Sequence, residues 1–317
     1  MRGPAGSVSL GLAVMIVVGL ASCSGSTKQA GPALPRPAET PATADEVRAI
    51  TLDGYMQLGQ GYDSVYLESV ARDVRVVTIG VRPGDVLVGF DGPRIIAVHR
   101  LFADDPLEVV SKDLEVHLAR DASAAWVADD VSYRALRGQR RAFLPLRRTA
   151  VYERFEGRWL LVTEHVSYPT PDAMAARSAV AVPGVTGGGA EGQAVRKRVV
   201  NVLAGSDDSP VSLDEGVVSI GPRGERSRGR DVARVATPMA YFVGAGSLEV
   251  SGLRIGVSRS GTVAWATATF AIGAGGPAAR ATFVLEKRGG LWWIVQTHVS
   301  RPVTTETLAA DLGIGAE

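Results

Sequence analysis

The amino-acid sequence predicts an α+β protein made of two tandem domains, each with helices packed on a curved antiparallel sheet. The first observation is an internal repeat: residues 149–169 align without a gap with residues 282–302, and both end in Trp-x-x-Val-x-x-His-Val-Ser-x-Pro. Self-similarity of this kind indicates a duplicated unit. The second observation is that helical periodicity and then short apolar strands precede each copy. The third is a length of 317 residues, which suits about two domains.

The segment before the first copy contains targeting signals. Residues 1–22 join a basic start to an apolar run too short to favour a transmembrane helix, which is typical of a secretory signal peptide. The run ends in Leu-Ala-Ser-Cys23, which resembles a bacterial lipobox, and Cys23 is the single cysteine of the chain. In lipoproteins this cysteine is diacylated and becomes the mature N-terminus. An ordinary cleaved signal peptide with an incidental cysteine is the alternative.

Residues 23–44 are rich in Pro, Ser, Thr and Ala and cannot bury a core, so we interpret them as a disordered tether. The sequence thus predicts a membrane lipoprotein of the bacterial cell envelope, in contact with the membrane through its lipid anchor. Ser24 favours the periplasmic face of the outer membrane if the cell has two membranes.

The first domain is predicted over residues 45–182. Amphipathic periodicity, with Thr43 or Asp45 as the cap, indicates its first helix, and Pro93 suits the first turn of another. The predicted helices are 46–59, 62–71 and 93–102, and the predicted strands are 74–79, 107–118, 124–135, 143–155 and 159–168.

A glycine-rich stretch, residues 183–192, is predicted to link this domain to a second one over residues 193–310. The same order of elements then recurs. The predicted helices are 193–203 and 229–242, and the predicted strands are 217–220, 248–258, 262–272, 278–287 and 291–299.

Composition excludes several classes of function. The formal net charge is +1, which argues against nucleic acid as a partner. One cysteine excludes an intrachain disulfide and a thiolate metal cluster, and the histidines lack metal-ligand spacing, so we expect no metal. The sequence has neither a phosphate-binding glycine motif nor a nucleophile elbow, and we expect no cofactor.

The repeated residues carry a resemblance to a known family. The pairs that carry it are Arg147/Arg280, Thr149/Thr282, Trp159/Trp292, His165/His298 and Ser167/Ser300. With the order of helices and strands, they resemble the SnoaL-like branch of the nuclear transport factor two-like superfamily. The resemblance implies the cone-shaped fold of ketosteroid isomerase, which houses enzymes, binding proteins and oligomerisation modules alike.

Many members of that superfamily dimerise through the outer face of the sheet, which implies an intrachain pseudo-dimer of the two domains here. Side chains alternate between the faces of a strand. We therefore predict that the two outer faces contact each other through one apolar stripe from each domain. The stripes are Leu160, Val162 and Val166 in the first domain and Trp293, Val295 and Val299 in the second.

The same alternation places polar and apolar groups together on the other face of each last strand, which suits a cavity wall. Each candidate also has a structural interpretation: the histidines would bond a neighbouring strand or loop, the tryptophans would fill the core, and Arg148 would lie on a solvated strand or form an intrachain ion pair. Asp129 and Asp130 are interpreted as a charged turn, with a general base as the alternative. The ligand-cavity candidates are His165, Thr163, Ser167, Trp126 and Arg148 in the first domain, and His298, Gln296, Ser300 and Trp265 in the second.

Two functions are compatible with these patterns. The first is a membrane-anchored, non-catalytic module that binds a small hydrophobic ligand or a protein partner. The second is an enzyme of isomerase, cyclase or hydratase type acting in the cavity of the first domain. The second domain lacks several of the polar groups of the first, and no acid–base pair is evident, which favours the binding module.

The anchor yields a direct prediction. Cys23→Ala removes the acceptor of the lipid, so the protein should stay unprocessed or appear in the soluble fraction. Fractionation and the intact mass of the mature protein test this. Unchanged membrane association together with an unchanged mature mass would contradict it.

Overall fold

The computed structural model describes residues 42–101, 107–137, 140–170, 189–203, 214, 216–229, 248–272, 278–311 and 313. The predicted signal peptide, Cys23, nearly all of the tether, the first part of the linker and nearly all of the predicted helix 229–242 lie outside these residues. Residues 40–317 form one compact unit. Within the described ranges, no helix is long and apolar enough to cross a membrane.

The first repeat packs helices against a seven-stranded sheet. The strand order is β2-β1-β7-β6-β5-β3, with β4 also pairing with β5, and β1 runs parallel to β7. Its described elements are α1 (Ala44–Gln60), α2 (Asp63–Glu68), β1 (Val77–Ile79), β2 (Val86–Val88), α3 (Gly92–His99), β3 (Leu107–Ser111), β4 (Glu115–Leu118), β5 (Ala124–Arg137), β6 (Arg140–Phe155) and β7 (Arg158–Ser167).

The second repeat has the same arrangement around its last long strand. Its six-stranded sheet has the order β10-β11-β12-β13-β8-β9, and β8 runs parallel to β13. The predicted α+β class is confirmed, and two sheets fit two tandem domains. The described elements are α4 (Gly189–Leu203), β8 (Val218–Ile220), β9 (Arg226–Arg228), β10 (Leu248–Val257), β11 (Val263–Ile272), β12 (Ala278–Arg288), β13 (Leu291–Ser300) and α5 (Thr305–Asp311).

The helix that opens each repeat is fixed to the last strand of that repeat in the same way. Thr43 caps α1 in a capping box with Glu46. The Trp159 Nε1 donates to Glu46 at 3.2 Å, and the Trp292 Nε1 donates to Glu191 at 3.0 Å. The α4 helix begins at Gly189, inside the range predicted as linker, because Glu191 holds its first turn against β13.

A β-bulge interrupts the last strand at the same place in both repeats. In β7, Leu161 pairs with Tyr152 and Thr163 with Val151, so Val162 is the extra residue. In β13 the extra residue is Val295. An extra residue reverses which face each later side chain occupies, because strand alternation has a period of two.

The prediction of which side chains share a face of β7 and of β13 is therefore wrong for the residues after the bulge. Trp159 contacts α1, whereas His165 contacts the other sheet. Val166 belongs to a buried cluster inside the first repeat, and Val299 packs with the valines of α4 in the second. Of the predicted stripes, Val162 and Val295 do belong to one buried cluster that spans both repeats.

Two arginines cross between the repeats and bind the turn that follows the short parallel strand. Arg280 of β12 donates to the carbonyl oxygens of Gly80 at 2.7 Å and of Arg82 and Pro83 at 2.6 Å. Arg147 of β6 donates to the carbonyls of Gly221 and Pro222. Burial lowers the pKa of Arg280 to about 10, which still leaves it cationic at pH 7.

Two glutamates make a second symmetric pair of crossings. Glu153 accepts the backbone N–H of Arg259 at 2.5 Å, and Glu286 accepts the backbone N–H of Arg120 at 2.9 Å. Each acceptor lies on one repeat and each donor lies in a hairpin turn of the other. The contact between the sheets is therefore built twice, once from each repeat.

Loss of one crossing arginine should destabilise the whole compact unit. Arg280→Met leaves buried carbonyl oxygens without their donor, which costs about 1–3 kcal/mol. Chemical denaturation measures this, with Arg94→Met as the control because Arg94 is exposed. A loss in Arg280→Met no larger than in Arg94→Met would contradict the proposed role of the crossing.

Candidate functional site

Most of the predicted cavity residues lie where the two sheets meet. His165 bonds Thr282 Oγ1 through Nδ1 at 3.0 Å and Ser300 Oγ through Nε2 at 2.7 Å. His298 bonds Thr149 Oγ1 through Nδ1 at 3.2 Å and Ser167 Oγ through Nε2 at 2.7 Å. Every one of these bonds crosses between the repeats.

The two imidazole rings stack on each other at the centre of this contact. Their centroids are 3.9 Å apart and their planes differ by 14°. Burial lowers the pKa of both His165 and His298 well below the ordinary value, and Arg280 and Arg147 lower the pKa of His165 further. Both rings are therefore neutral at pH 7, with one nitrogen donating and the other accepting.

The remaining candidates on these faces also have structural partners. Gln296 donates to Thr149 Oγ1 at 2.6 Å and to the Val127 carbonyl at 3.2 Å. Trp265 Nε1 donates to the carbonyl of Arg75 at 3.3 Å, across the contact. Thr163 donates to the carbonyl of Val77 at 3.0 Å, and Trp126 is buried and stacks on His117. The face predicted as a cavity wall is thus the contact surface of the repeats, because the bulge turns it outward.

Arg148 alone among the candidates points into the first repeat, where it forms a buried ion pair with Glu164. His99 Nε2 lies 3.1 Å from Glu164, and the Tyr66 hydroxyl donates to Glu164 at 3.2 Å. The Tyr133 hydroxyl lies 3.3 Å from His99 Nδ1. Side chains from α2, α3 and β6 therefore converge on one carboxylate, and Tyr133 of β5 supports His99 from behind.

The same arginine continues the network toward α1. Its guanidinium donates to the hydroxyls of Tyr55 and Tyr152, both at 3.4 Å. The Tyr55 hydroxyl in turn donates to Asp129 Oδ2 at 3.0 Å, and Asp129 Oδ1 accepts the Asp113 N–H at 3.2 Å. We name these residues the polar cluster; it comprises Tyr55, Tyr66, His99, Asp129, Tyr133, Arg148, Tyr152 and Glu164.

The predicted charged turn at Asp129 and Asp130 is wrong. Both residues lie within β5, where Asp129 faces the interior and is fully buried, while Asp130 lies 3.4 Å from Arg226 of the second repeat. A pair of adjacent carboxylates resembles a polar turn in sequence. The missed signal is the alternation of Trp126, Ala128 and Asp130 against Val127 and Asp129.

The charge states in the polar cluster follow from burial and pairing. Burial alone would raise the pKa of Glu164, but Arg148 and His99 lower it below the ordinary range, so this carboxylate stays ionised. Burial raises the pKa of Asp129 despite its hydrogen bonds. Burial also raises the pKa of Tyr55 well above its ordinary value, so its hydroxyl keeps its proton.

A pocket of about 330 Å³ opens between α1 and β3 of the first repeat. Leu52 and Met56 stand at its mouth, 41% and 49% exposed. Tyr55 belongs both to the pocket and to the polar cluster, and Ser111 also bonds Asp129. The residues that line the pocket are Leu52, Tyr55, Met56, Gly59, Gln60, Glu108, Val109 and Ser111.

The sheet of the second repeat does not reproduce the polar cluster on its described strands. In the first repeat Asp129 pairs in register with Arg148; the matching pair in the second is Ala268 and Ala281. The counterparts of Tyr152 and Glu164 are Leu285 and Thr297. Within the part of the chain that the structure describes, no group of three acidic, His or Cys side chains is arranged to hold a metal ion.

Comparison with known families agrees with this fold. Residues 209–304 match the family model of the SnoaL-like domain. The matched residues lie within the second repeat, and the first repeat has the same strand arrangement around its last long strand. No curated protein matches the chain in sequence.

Several solved structures are similar to part of the chain. A putative calcium/calmodulin-dependent protein kinase II association domain from Xanthomonas campestris is 22% identical, with 43% of this chain and 92% of that chain covered and a TM-score of 0.35. A putative dehydratase of the NTF2-like family from Streptomyces avermitilis is 14% identical, with coverage of 40% and 96% and a TM-score of 0.35. ActVI-ORFA from Streptomyces coelicolor is 17% identical, with coverage of 39% and 95% and a TM-score of 0.33.

The ion pair of Arg148 and Glu164 should contribute to the free energy of unfolding as a coupled pair. Arg148→Met leaves Glu164 buried without its cation and should cost about 3–5 kcal/mol of unfolding free energy. The double variant Arg148→Met/Glu164→Gln should cost less than the sum of the single variants. The exposed pair of Arg134 and Glu108 is the control, since Arg134→Met should cost no more than about 1 kcal/mol. Additive losses in a double-mutant cycle would contradict the coupling.

Proposed function

We propose that the first repeat is a non-catalytic binding module that takes a small, mainly apolar ligand into the pocket between α1 and β3. The observation that carries the proposal is the pocket itself. Its volume of about 330 Å³ lies at the lower end of the range for ligand sites, roughly 300–1,000 Å³. A small ligand rather than a protein segment suits a site of this size.

The lining of the pocket supports an apolar ligand with few polar groups. Leu52, Met56 and Val109 supply aliphatic surface, and the ring of Tyr55 supplies an aromatic wall. Ser111 and Gln60 are the uncharged polar groups that can orient a ligand. Glu108 at the mouth is paired with Arg134 at 2.9 Å, so the site carries little net charge.

The fixed state of Tyr55 favours binding over catalysis. Its hydroxyl donates to Asp129 and accepts from Arg148, so it is held in one position before any ligand arrives. Asp129 itself is fully buried behind that hydroxyl, with bonds from the Asp113 N–H and the Ser111 side chain as well. A carboxylate so engaged is poorly placed to exchange a proton with a ligand, because a general base must come within hydrogen-bond reach of its substrate.

One observation favours the alternative, an enzyme of isomerase, cyclase or hydratase type in this cavity. Asp129 has a raised pKa and contacts two residues that line the pocket. Carboxyl groups of that kind are common in acid–base catalysis. Asp129→Asn separates the two functions: a binding module should keep its ligand, whereas an acid–base enzyme should lose turnover.

The place of action remains a proposal from the sequence. A lipid on Cys23 and a tether through residue 44 would hold the compact unit at a membrane of the cell envelope. Such a location gives the pocket access to molecules of the envelope, apolar ones included.

Charge at the mouth of the pocket should abolish ligand binding. Met56→Asp places a carboxylate against an apolar ligand, and we expect the affinity to fall by about tenfold or more, equivalent to at least about 1.4 kcal/mol. The probe is the neutral fluorescent dye N-phenyl-1-naphthylamine, with solvent extraction and mass spectrometry for any co-purified molecule.

Val65→Asp is the matched control for Met56→Asp. Val65 is an exposed aliphatic residue on α2, 44% exposed, and does not line the pocket. Equal dye affinity in Met56→Asp and Val65→Asp, with both variants folded, would count against the pocket as the ligand site.

A further inference from the structure

We propose that the stacked pair of His165 and His298 makes the contact between the two repeats acid-sensitive, so that proton uptake separates the two sheets while each stays folded. The proposal concerns the contact between the repeats and does not depend on what the pocket binds.

The geometry of the pair leaves no space between the rings for a counter-ion. The ring centroids are 3.9 Å apart, and each ring bonds two hydroxyls of the opposite repeat. Protonation converts the accepting nitrogen of a ring into a donor. Hydroxyl groups can rotate to accept that bond, so the decisive cost is the buried charge and not a lost hydrogen bond.

The charged groups nearest to the pair are cations. Arg147 on β6 and Arg280 on β12 act on the rings, and both lower the pKa of His165 after burial, the larger cause. The four groups that bond the rings are uncharged hydroxyls, those of Thr149, Ser167, Thr282 and Ser300. A first proton would therefore meet two guanidinium groups, and a second would add another cation in the facing ring.

Carboxylates on the same faces of the sheets are already engaged by arginines. Glu153 on β6 binds Arg75 at 3.0 Å and Arg259 at 3.1 Å. Glu286 on β12 binds Arg288 at 2.5 Å, and Asp130 on β5 lies 3.4 Å from Arg226. Among the described residues, these groups do not supply a counter-charge to the imidazoles.

Linkage sets the direction of the effect. In the closed form, in which the two sheets are in contact, both rings have a pKa well below the ordinary value of about 6.5. In the open form, in which the sheets are separated, the exposed rings would regain that ordinary pKa. The open form then binds more protons, so the closed form loses stability as the pH falls below about 6.5. With two protons taken up, the equilibrium constant for opening rises by up to about 100-fold per pH unit.

Each repeat has buried residues that lie away from the stacked rings; Val303 and Leu308 also pack into those of the first repeat, so the segment after β13 is expected to stay with the first repeat on opening. The valines of α4 pack with β10 to β13 in the second repeat. Tyr55, Leu101 and Leu144 belong to a buried cluster of the first. The ion pair of Arg148 and Glu164 also persists between pH 7.5 and 4.5, since the pKa of Glu164 lies below its ordinary range.

One further histidine must be separated from the pair. His117 lies at the edge of the contact beside Gly216 of the second repeat, and burial lowers its pKa despite Glu115. Opening would expose it as well and add a third proton. The variants are therefore compared in a His117→Gln background.

The test follows the full-length protein from pH 7.5 to 4.5 by tryptophan fluorescence and far-ultraviolet circular dichroism. Trp126 and Trp265 are buried in the contact, so opening should shift the emission to the red while the circular dichroism stays constant. In the His117→Gln background, the pH dependence should fall from about 100-fold per pH unit to about 10-fold in His165→Gln or His298→Gln. The double variant should show almost none.

A second measurement needs no variant of the pair. The chain has four histidines, and mass spectrometry of deuterium exchange at the ring C2 follows the protonation of each one. His165 and His298 should titrate together at the midpoint of the fluorescence change. Three outcomes would overturn the proposal: no fluorescence change down to pH 4.5, loss of circular dichroism at the same midpoint, or an unchanged slope in the double variant.

Discussion

The structure depends on one constraint: two sheets bury polar faces against each other, and the polar groups at the centre of this contact find their partners in the opposite repeat. Burying a polar group without a hydrogen-bond partner costs from about 1 kcal/mol to several kcal/mol, so buried polar groups are nearly always hydrogen-bonded. Here the histidine of each last strand meets hydroxyls of the other repeat, and each crossing arginine meets a turn of the other. Neither repeat can pair these groups by itself in the closed contact, which explains why residues 40–317 form one compact unit.

The duplication has kept this contact symmetric and let the interiors diverge. The residues that cross, such as Arg147 and Arg280, have the same chemistry in both copies. Inside the repeats the matching strand positions differ: the first repeat has the pair Asp129 and Arg148, and the second has Ala268 and Ala281. The symmetry of the contact follows from the need for pairing, because a change in one repeat leaves a buried polar group of the other repeat without its hydrogen-bond partner. The interior positions have partners only within their own repeat, so each interior can change by itself.

This divergence assigns different roles to the two repeats. The first holds a buried polar cluster that reaches a pocket through Tyr55. The second supplies the opposing sheet, and Val303 and Leu308 near its end belong to a buried cluster of the first repeat. A binding site benefits from walls that are fixed before the ligand arrives, since less ordering is then lost on binding. Under the proposed function, the second repeat contributes to the pocket in this indirect way.

The sequence by itself determined the duplication, the α+β class and most elements, because these follow from local periodicity and capping: Thr43 caps α1, and each last strand was placed within two residues. Only the tertiary structure decided which faces meet. A single bulged valine reverses the alternation, and nothing in Trp-x-x-Val-x-x-His marks it. The polar cluster could not be predicted from the sequence for a related reason: Tyr55 of α1, His99 of α3 and Glu164 of β7 lie far apart in the chain. Their shared role exists only once packing has removed them from water, where each needs the others as partners.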